Sequence, residues 1–343
     1  MIKPVVTFGE IMLRLMPPDY ERFLQTPRFV ATLGGAEANV AVAVAGYGLP
    51  ARYVTVLPSN PITDAFIGEM RRFGVDSSYI VRGEGRFGVY YVEPGANQRP
   101  SNVVYDRDYS SMALAKPGDI DWAKAFDGAG WFHVTGITPA VSQGAADLAL
   151  EAVRKATEMG LTVSCDLNYR QKLWNYGKAA TEVMPELFQH ADVGIINEED
   201  CHKALGIQLD TTGESGKLRL EQYRRLTERV FERYPRLKLA AITMRESISA
   251  LHNGWSACLH DRKEFLVSRH YDITHIVDRL GNGDAFAGGL IYGLLTLSSP
   301  QDALEFAVAG GCLKHSIPGD FNRFSVEDVN GLLKSGGSGR VRR

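Results

Sequence analysis

The stretch of sequence that decides the fold is Gly281-Asn282-Gly283-Asp284-Ala-Phe-Ala-Gly-Gly-Leu-Ile-Tyr-Gly-Leu-Leu295. A glycine-rich turn opens directly into a long apolar helix that carries one carboxylate, Asp284, in its first turn. Free N–H groups at a helix start bind anions, and glycines let phosphate oxygens come close to the backbone. Asp284 is then placed to take a proton from an attacking hydroxyl. It also suits plain helix capping, so this segment alone leaves both roles open.

Around this helix, short β-branched runs alternate with longer helical patterns. The patterns predict strands at 5–8, 52–57, 131–135, 162–166, 193–196 and 239–243, and helices at 36–47, 142–159, 179–190 and 218–234. Alternating strands and helices form right-handed βαβ units, which predicts an α/β fold with a mainly parallel sheet covered on both faces. In such sheets the ligand crevice lies at the carboxyl ends of the strands.

Two stretches break this rhythm, Met12–Leu33 and Phe87–Tyr109. They are rich in Arg, Tyr and Phe, and residues 88–93 alternate like a strand with no helix after them. We expect antiparallel hairpin strands outside the main sheet that act as a lid, with ordinary surface loops as the alternative. The pattern Gly83-x-Gly85-x-x-Gly88 lacks the strand–turn–helix context of a dinucleotide fingerprint.

Length and composition exclude several classes of protein. With 343 residues, 45% of them hydrophobic, the chain suits one large domain over residues 1–334. A net charge of -2 gives no reason to expect nucleic-acid binding, and no apolar run is long enough to span a bilayer. The early Glu10 argues against a signal peptide, and the 4 scattered cysteines suit a reducing compartment, so we expect a cytoplasmic protein. The small, basic segment 335–343 is expected to be a mobile tail.

Several segments in fixed order resemble the ribokinase-like (phosphofructokinase-B) carbohydrate kinases. The first is Gly34-Gly-Ala-Glu-Ala-Asn39, and the second is Asp278-Arg-Leu-Gly-Asn-Gly-Asp284. Within that class the chain is most similar to 2-keto-3-deoxygluconate kinases, through the segments 8–14, 165–170, 197–200, 243–247 and 317–321. The resemblance implies a ribokinase-like three-layer sandwich with a small β-sheet lid, and Asp284 as the catalytic base.

On the sugar side, the resemblance implies contacts from residues of the N-terminal motif, the lid and the last loop. These are Gly34, Gly35, Asn39, Tyr90, Tyr105, Arg107, Arg170 and Asp320. The two glycines would leave room for sugar hydroxyls or pack helix against strand, and the lid aromatics would touch substrate or pack against each other. Ketodeoxygluconate has a carboxylate, which the planar guanidinium groups of Arg107 and Arg170 can bind. Arg170 has a rival role at the ATP phosphates or in bracing the sheet, and we expect it to serve both substrates.

On the nucleotide side, the resemblance implies contacts from the glycine turn and from the ends of strands. These residues are Asn168, Asn197, Thr243, Arg245, Ser247, Gly281, Asn282 and Gly283. Arg245 would stabilise the transferring charge or face solvent. Asn282 replaces the Ala that is usual in the family, but its backbone N–H is still available.

Two acids are predicted to hold cations. Asp200, with Asn197, matches the Asn-x-x-Glu motif of the family and would hold Mg²⁺ through water; Glu198 and Glu199 lie nearby and leave the choice of acid open. Mg²⁺ keeps several waters, so no dense ligand cluster is expected. Asp278 is a candidate for a monovalent cation such as K⁺, as in ribokinases.

The function that the resemblance implies is ATP- and Mg²⁺-dependent phosphorylation of 2-keto-3-deoxy-D-gluconate to its 6-phosphate. The alternatives are a kinase for a neutral ketose such as fructose or tagatose, and a non-catalytic sugar-binding regulator, which Asn282 motivates. The expected partners are a small sugar acid and ATP, without nucleic acid or membrane. Exposed apolar faces of the lid would favour a homodimer that pairs through it.

Overall fold

The computed structural model of the protein describes residues 2–208 and 217–336. In chain order the strands are β1 Val5–Phe8, β2 Met12–Met16, β3 Val30–Gly34, β4 Ala51–Pro58, β5 Val75–Asp76, β6 Ile80–Gly83, β7 Gly88–Glu93, β8 Asn102–Asp106, β9 Trp131–Thr135, β10 Thr162–Asp166, β11 Val193–Ile196, β12 Leu239–Ser249, β13 His252–His260, β14 Phe265–Val267 and β15 Tyr271–Ile273.

The α-helices are α1 Ala36–Gly46, α2 Pro61–Arg72, α3 Ser111–Leu114, α4 Trp122–Phe126, α5 Thr138–Val141, α6 Gln143–Glu158, α7 Ala180–Phe188, α8 Glu198–Leu205, α9 Lys217–Arg233, α10 Asn282–Thr296, α11 Pro300–Lys314 and α12 Val326–Ser335. Polar side chains fix where several of them begin. Asn60, Ser142 and Ser299 each accept a hydrogen bond from a backbone N–H in the first turn of α2, α6 and α11.

Eleven strands form the central sheet, in the order β14-β13-β12-β11-β10-β9-β1-β4-β5, with β15 beside β13 and β6 beside β4. The pairs from β12 to β5 are parallel, and β13 adds an antiparallel edge. The prediction of a mainly parallel sheet is therefore confirmed. The strand predicted at 239–243 is longer than expected, because β12 continues to Ser249 as a hairpin with β13.

Helices cover both faces of this sheet. Adjacent residues Val5 and Val6 of β1 point into different cores. One core contains the apolar face of α6, and the other contains α1, α10 and α11. Helix α10 is apolar on nearly every side because it is buried between neighbouring helices and the sheet. The result is the predicted three-layer sandwich, and it fixes the glycine turn at the start of α10.

The two stretches that break the alternation form a separate four-stranded sheet, in the order β3-β2-β7-β8. It consists of two antiparallel hairpins joined by parallel pairing of β2 with β7. The 83–88 pattern runs from Gly83, the last residue of β6, to Gly88, the first residue of β7, so a strand and not a helix follows it, as predicted.

Helix α12 ends at Ser335, and Gly336 has the left-handed conformation (φ 60°) that commonly ends a helix. The rest of the predicted tail, 337–343, lies outside the described residues. None of the helices in the described ranges is long and apolar enough to cross a membrane.

Candidate active site

A cavity of about 790 Å³ opens at the carboxyl ends of the central strands and reaches under the small sheet. Except for two residues, it brings together all the side chains and glycines predicted from the sequence to form the site. The predicted residues that line it are Gly34, Gly35, Asn39, Tyr90, Tyr105, Arg107, Asn168, Arg170, Asn197, Asp200, Thr243, Arg245, Gly281, Asn282, Gly283, Asp284 and Asp320. Their individual roles stay predictions.

The glycine turn forms one wall of this cavity. Gly281 has φ 77°, which favours glycine, and a Cβ there would collide with the carbonyl oxygen of Asp320. At Gly283, by contrast, an added Cβ would meet no atom of the described residues within 4 Å. Residues 281–284 at the start of α10 thus line the cavity with space beside Gly283, as an anion site at a helix start requires.

Asp284 lies in the first turn of α10 and is only 9% exposed. Its Oδ2 accepts a hydrogen bond of 2.6 Å from Nδ2 of Asn39, which lies 245 residues earlier in the chain. Burial raises the pKa of Asp284 to about 7, although the hydrogen bond from Asn39 works in the opposite direction. A carboxylate that exchanges a proton near neutral pH is suited to act as a general base.

Further acids line the predicted nucleotide side. Asn197 caps α8, and its side chain both donates to Asp200 Oδ2 (2.7 Å) and accepts from the Asp200 N–H (2.8 Å). Burial raises the pKa of Asp200 to about 6. Burial also raises the pKa of Asp166, at the end of β10, and the charges of Asp200 and Asp284 raise it further. The ionisation of Asp166 therefore depends on the charges of Asp200 and Asp284.

The side chain of Asn282 has a definite structural role. Its Oδ1 accepts a hydrogen bond of 2.9 Å from Arg245, and its Nδ2 contacts Nε2 of His315 at 3.0 Å. The other ring nitrogen of His315 donates to the carbonyl oxygen of Gly311 at 2.8 Å, so Nε2 is the acceptor. Arg245 also lies over the Trp255 ring, 5.7 Å from its centroid. Asn282 therefore holds Arg245 against the cavity wall.

On the predicted sugar side, Asp320 is fixed from two directions. Its Oδ1 accepts from Arg14 at 2.6 Å, and its Oδ2 accepts from the Tyr90 hydroxyl at 2.8 Å. A Cβ at Gly34 would collide with both Tyr90 and Asp320, so this glycine makes room for site side chains. At Gly35 a Cβ would instead collide with the carbonyl oxygen of Glu10. This glycine therefore allows close backbone packing, the alternative role considered for it from the sequence.

Arg107 is not a free cation. Its Nε donates to Glu10 Oε2 at 2.7 Å, and its Nη2 forms an ion pair with the same oxygen. Both residues are buried. Nη1 of Arg107 has no hydrogen-bond partner within the described residues. The pair is therefore neutral overall but still presents one buried donor.

The comparisons with known proteins agree with this architecture. Residues 3–233 match the model of the pfkB family carbohydrate kinases. The chain belongs to this family. The crystal structure of a 2-dehydro-3-deoxygluconokinase from Thermotoga maritima is 48% identical to this kinase, covers 98% of it and 99% of its own chain, and has a TM-score of 0.91.

Two curated relatives extend the match beyond residue 233. The 2-dehydro-3-deoxygalactonokinase of Haloferax volcanii is 31% identical over 339 residues, covering 99% of both chains. The 2-dehydro-3-deoxygluconokinase of Bacillus subtilis is 27% identical over 325 residues, covering 92% of this kinase and 91% of the relative. The predictions of the family, of the ribokinase-like fold and of an enzyme that is a carbohydrate kinase are thereby confirmed.

Two predicted site residues of the kinase lie outside the cavity lining. Ser247 is exposed on the part of β12 that extends past the sheet as a hairpin, so its contact with the nucleotide finds no support in the geometry. Asp278 has its oxygens engaged by protein groups: Oδ1 accepts from Leu280 N–H, while Oδ2 accepts from Gly319 N–H and lies 2.7 Å from Nη2 of Arg14. These partners leave a K⁺ little access to the carboxylate.

Three further polar residues lie at the cavity or directly beside it, although no role was predicted for them from the sequence. Asp166 lines the cavity as the last residue of the buried strand β10, and an acid at the end of a predicted strand is a signal that could have identified it. For Glu10 the signal in the sequence is weaker, because its partner Arg107 is 97 residues away. No local pattern in the sequence indicates the role of Arg14, which is fully buried and whose partner Asp320 is 306 residues away.

Proposed function

We propose that this kinase transfers the γ-phosphoryl group of ATP to the C6 hydroxyl of 2-keto-3-deoxy-D-gluconate, with Asp284 as general base. The observation that carries the proposal is the placement of Asp284. Burial raises its pKa to about 7, and it lies in the first turn of α10, whose first residues line the cavity. The Asp284 carboxylate takes the proton from the attacking hydroxyl, while the N–H groups at the helix start stabilise charge on the transferring group.

The residues around the turn fit ATP with Mg²⁺. The open space at Gly283 leaves room for phosphate oxygens, and Arg245 adds a positive charge beside them. In the described ranges no group of three or more His, Cys, Asp or Glu side chains could hold a metal. Asp200 would therefore contact Mg²⁺ through a water molecule, since Mg²⁺ usually keeps several waters. Bound Mg²⁺ supplies neutralisation of phosphate charge.

The substrate assignment rests on guanidinium groups. Arg170 lines the cavity and forms no ion pair within the described residues; its Nη1 donates to the Tyr169 carbonyl oxygen at 2.9 Å. It is therefore available to the carboxylate of a sugar acid, and Nη1 of Arg107 supplies a further donor. The relatives named above are kinases of two sugar acids that differ in configuration at C4, which supports an acid rather than a neutral sugar.

A substrate panel tests the proposal. ADP formation is measured with 2-keto-3-deoxygluconate, its C4 epimer, fructose and tagatose, each with ATP and Mg²⁺. We expect the highest kcat/KM with 2-keto-3-deoxygluconate. Higher turnover of fructose or tagatose would overturn the carboxylate argument, and sugar binding without phosphoryl transfer would favour the regulator.

Substitution of Arg107 tests its role in substrate binding. We expect Arg107→Met to raise KM for the sugar acid by about 30-fold, or about 2 kcal/mol, because a buried charged partner is lost. KM for a neutral ketose should change far less. In this variant Glu10 loses its partner, and its charge repels the carboxylate of the sugar acid. Glu10→Gln and the double variant therefore separate the loss of the Arg107 donor from the repulsion by Glu10. Equal effects on acid and neutral sugar would contradict the role.

The pH profile tests the state of Asp284. Only the ionised carboxylate accepts a proton, and burial raises its pKa to about 7. We therefore expect kcat/KM to fall by up to about tenfold for each pH unit below that pKa and to level off above it. Because the ionisation of Asp166 is coupled to that of Asp284, the apparent pKa of the profile belongs to the pair. A profile that is flat down to about pH 5 would contradict the assignment.

We also propose that the small sheet acts as a lid and pairs two copies of the chain. Tyr90, Tyr105 and Arg107 reach the cavity from it. Its edge strands β3 and β8 expose Val30 (48%) and Val104 (47%), which suits association. Light scattering of the purified protein, alone and after Val104→Lys, measures whether a dimer forms through this sheet.

A further inference from the structure

Lys314, the last residue of α11, is completely buried although its side chain ends in an ammonium group. Within the described residues its Nζ makes one hydrogen bond, to the carbonyl oxygen of Ile317 at 3.4 Å. An ammonium has three donors and is costly to bury unless opposite charges compensate. None of the catalytic steps described above uses this residue.

Lys314 lies where two loops of the site meet. The segment after α11 hydrogen-bonds to the segment before the glycine turn: the N–H groups of Val277 and Asp278 donate to the His315 carbonyl oxygen at 2.8 and 3.3 Å. The Gly319 N–H donates to Asp278 Oδ2 at 3.0 Å. Farther along, Gly281 packs directly on the backbone of Asp320. The 315–320 loop thus supports the turn that binds anions.

The charges around Lys314 are those of the site. Burial lowers the pKa of Lys314, while the carboxylates of Asp278 and Asp320 raise it. Asp284 also raises this pKa, and the guanidinium of Arg14 lowers it. Two buried cations, Lys314 and Arg14, therefore compensate the carboxylates that lie beneath the turn.

We infer that Lys314 is a built-in monovalent cation that holds the glycine turn in its anion-binding conformation, so that phosphoryl transfer needs no added K⁺. A free K⁺ would take carboxylate and carbonyl oxygens as ligands. Ile317 supplies such a carbonyl oxygen, and the tethered ammonium already donates to it at 3.4 Å, on the loop whose Gly319 N–H binds Asp278. Lys314 is thus a positioning residue that acts through the 278–283 turn. The inference rests on the proposed kinase reaction as its assay.

The wild-type enzyme gives the first test. Its kcat is measured with sodium, potassium and ammonium chloride at equal ionic strength, with the best acceptor of the substrate panel. We expect values that agree within about twofold across the three salts, at about 100 mM each. Stimulation by K⁺ beyond about fivefold would overturn the inference, because a built-in cation leaves no such requirement.

The variant Lys314→Met keeps an apolar stem and removes the charge. In sodium chloride we expect kcat to fall by about 10- to 100-fold, as for loss of a group that orients a catalytic element. Potassium or ammonium ions should restore at least about fivefold with saturation, because the vacated position can bind a cation. Lys334→Met, at an exposed lysine of α12, is the matched control and should respond to neither salt.

Two outcomes would overturn the inference: wild-type kcat in Lys314→Met without K⁺, or lost activity that neither cation restores. If Lys314→Met does not fold, Lys314→Gln replaces it, since its amide can still donate to Ile317. If no acceptor is phosphorylated in any salt, the proposed function fails instead. The melting temperature then tests the inference, because K⁺ should stabilise the variant and leave the wild type unchanged.

Discussion

Asp284→Asn is expected to lower kcat by about 10²- to 10⁴-fold, the range of a general base, while sugar binding stays near that of the wild type. The amide has the same shape as the carboxylate and can still accept the hydrogen bond from Asn39. It cannot accept the proton of the substrate hydroxyl. Initial-rate kinetics and calorimetric titration with the sugar acid measure the two effects separately.

The stability of this variant separates catalysis from helix capping. Burial raises the pKa of Asp284 to about 7, so above that pH the folded protein bears the cost of a buried charge, and the neutral amide removes it. We therefore expect an unchanged or higher melting temperature near pH 8. Asp302→Asn, in the first turn of α11, is the control for a plain first-turn acid and should leave kcat unchanged. A destabilised Asp284→Asn that retains most of its kcat would favour capping.

Much of this architecture could be predicted because its signals are local. The alternation of β-branched and helical runs predicted the parallel sheet, and the glycines before an apolar helix predicted where α10 begins. The hairpin that extends β12 to Ser249 was missed, because its pairing with β13 depends on a partner strand and not on the run itself.

The site was less predictable where a side chain depends on a distant partner. Asn282 showed in the sequence only as a departure from the family, and its contact with His315 across 33 residues explains it. The sequence likewise identified Arg107 as a cation, while the structure shows that Glu10 neutralises it. Ion pairs between remote segments follow from the fold and have no local pattern.

Arg14→Met is expected to lower the free energy of unfolding by about 3–5 kcal/mol, because removing one partner of a buried ion pair leaves the other charge uncompensated. Arg14 is 1% exposed and bridges Asp278 and Asp320 at 2.7 and 2.6 Å. Burial lowers the pKa of Arg14, but Asp320 and Asp278 raise it by more, so the guanidinium stays charged. Urea denaturation measures the loss. Arg82→Met, which breaks an exposed pair with Asp64, should cost less than about 1 kcal/mol.

Double variants show which charge causes the loss. Asp320→Asn or Asp278→Asn in the Arg14→Met background should recover part of the stability, because each removes a buried charge that has lost its partner. A loss no larger than that of Arg82→Met, or coupling energies below about 0.5 kcal/mol, would contradict the ion-pair account. Lys314 is a second buried cation near these carboxylates. If both cations compensate them, the double variant Arg14→Met/Lys314→Met should lose more free energy of unfolding than the sum of the losses in the two single variants.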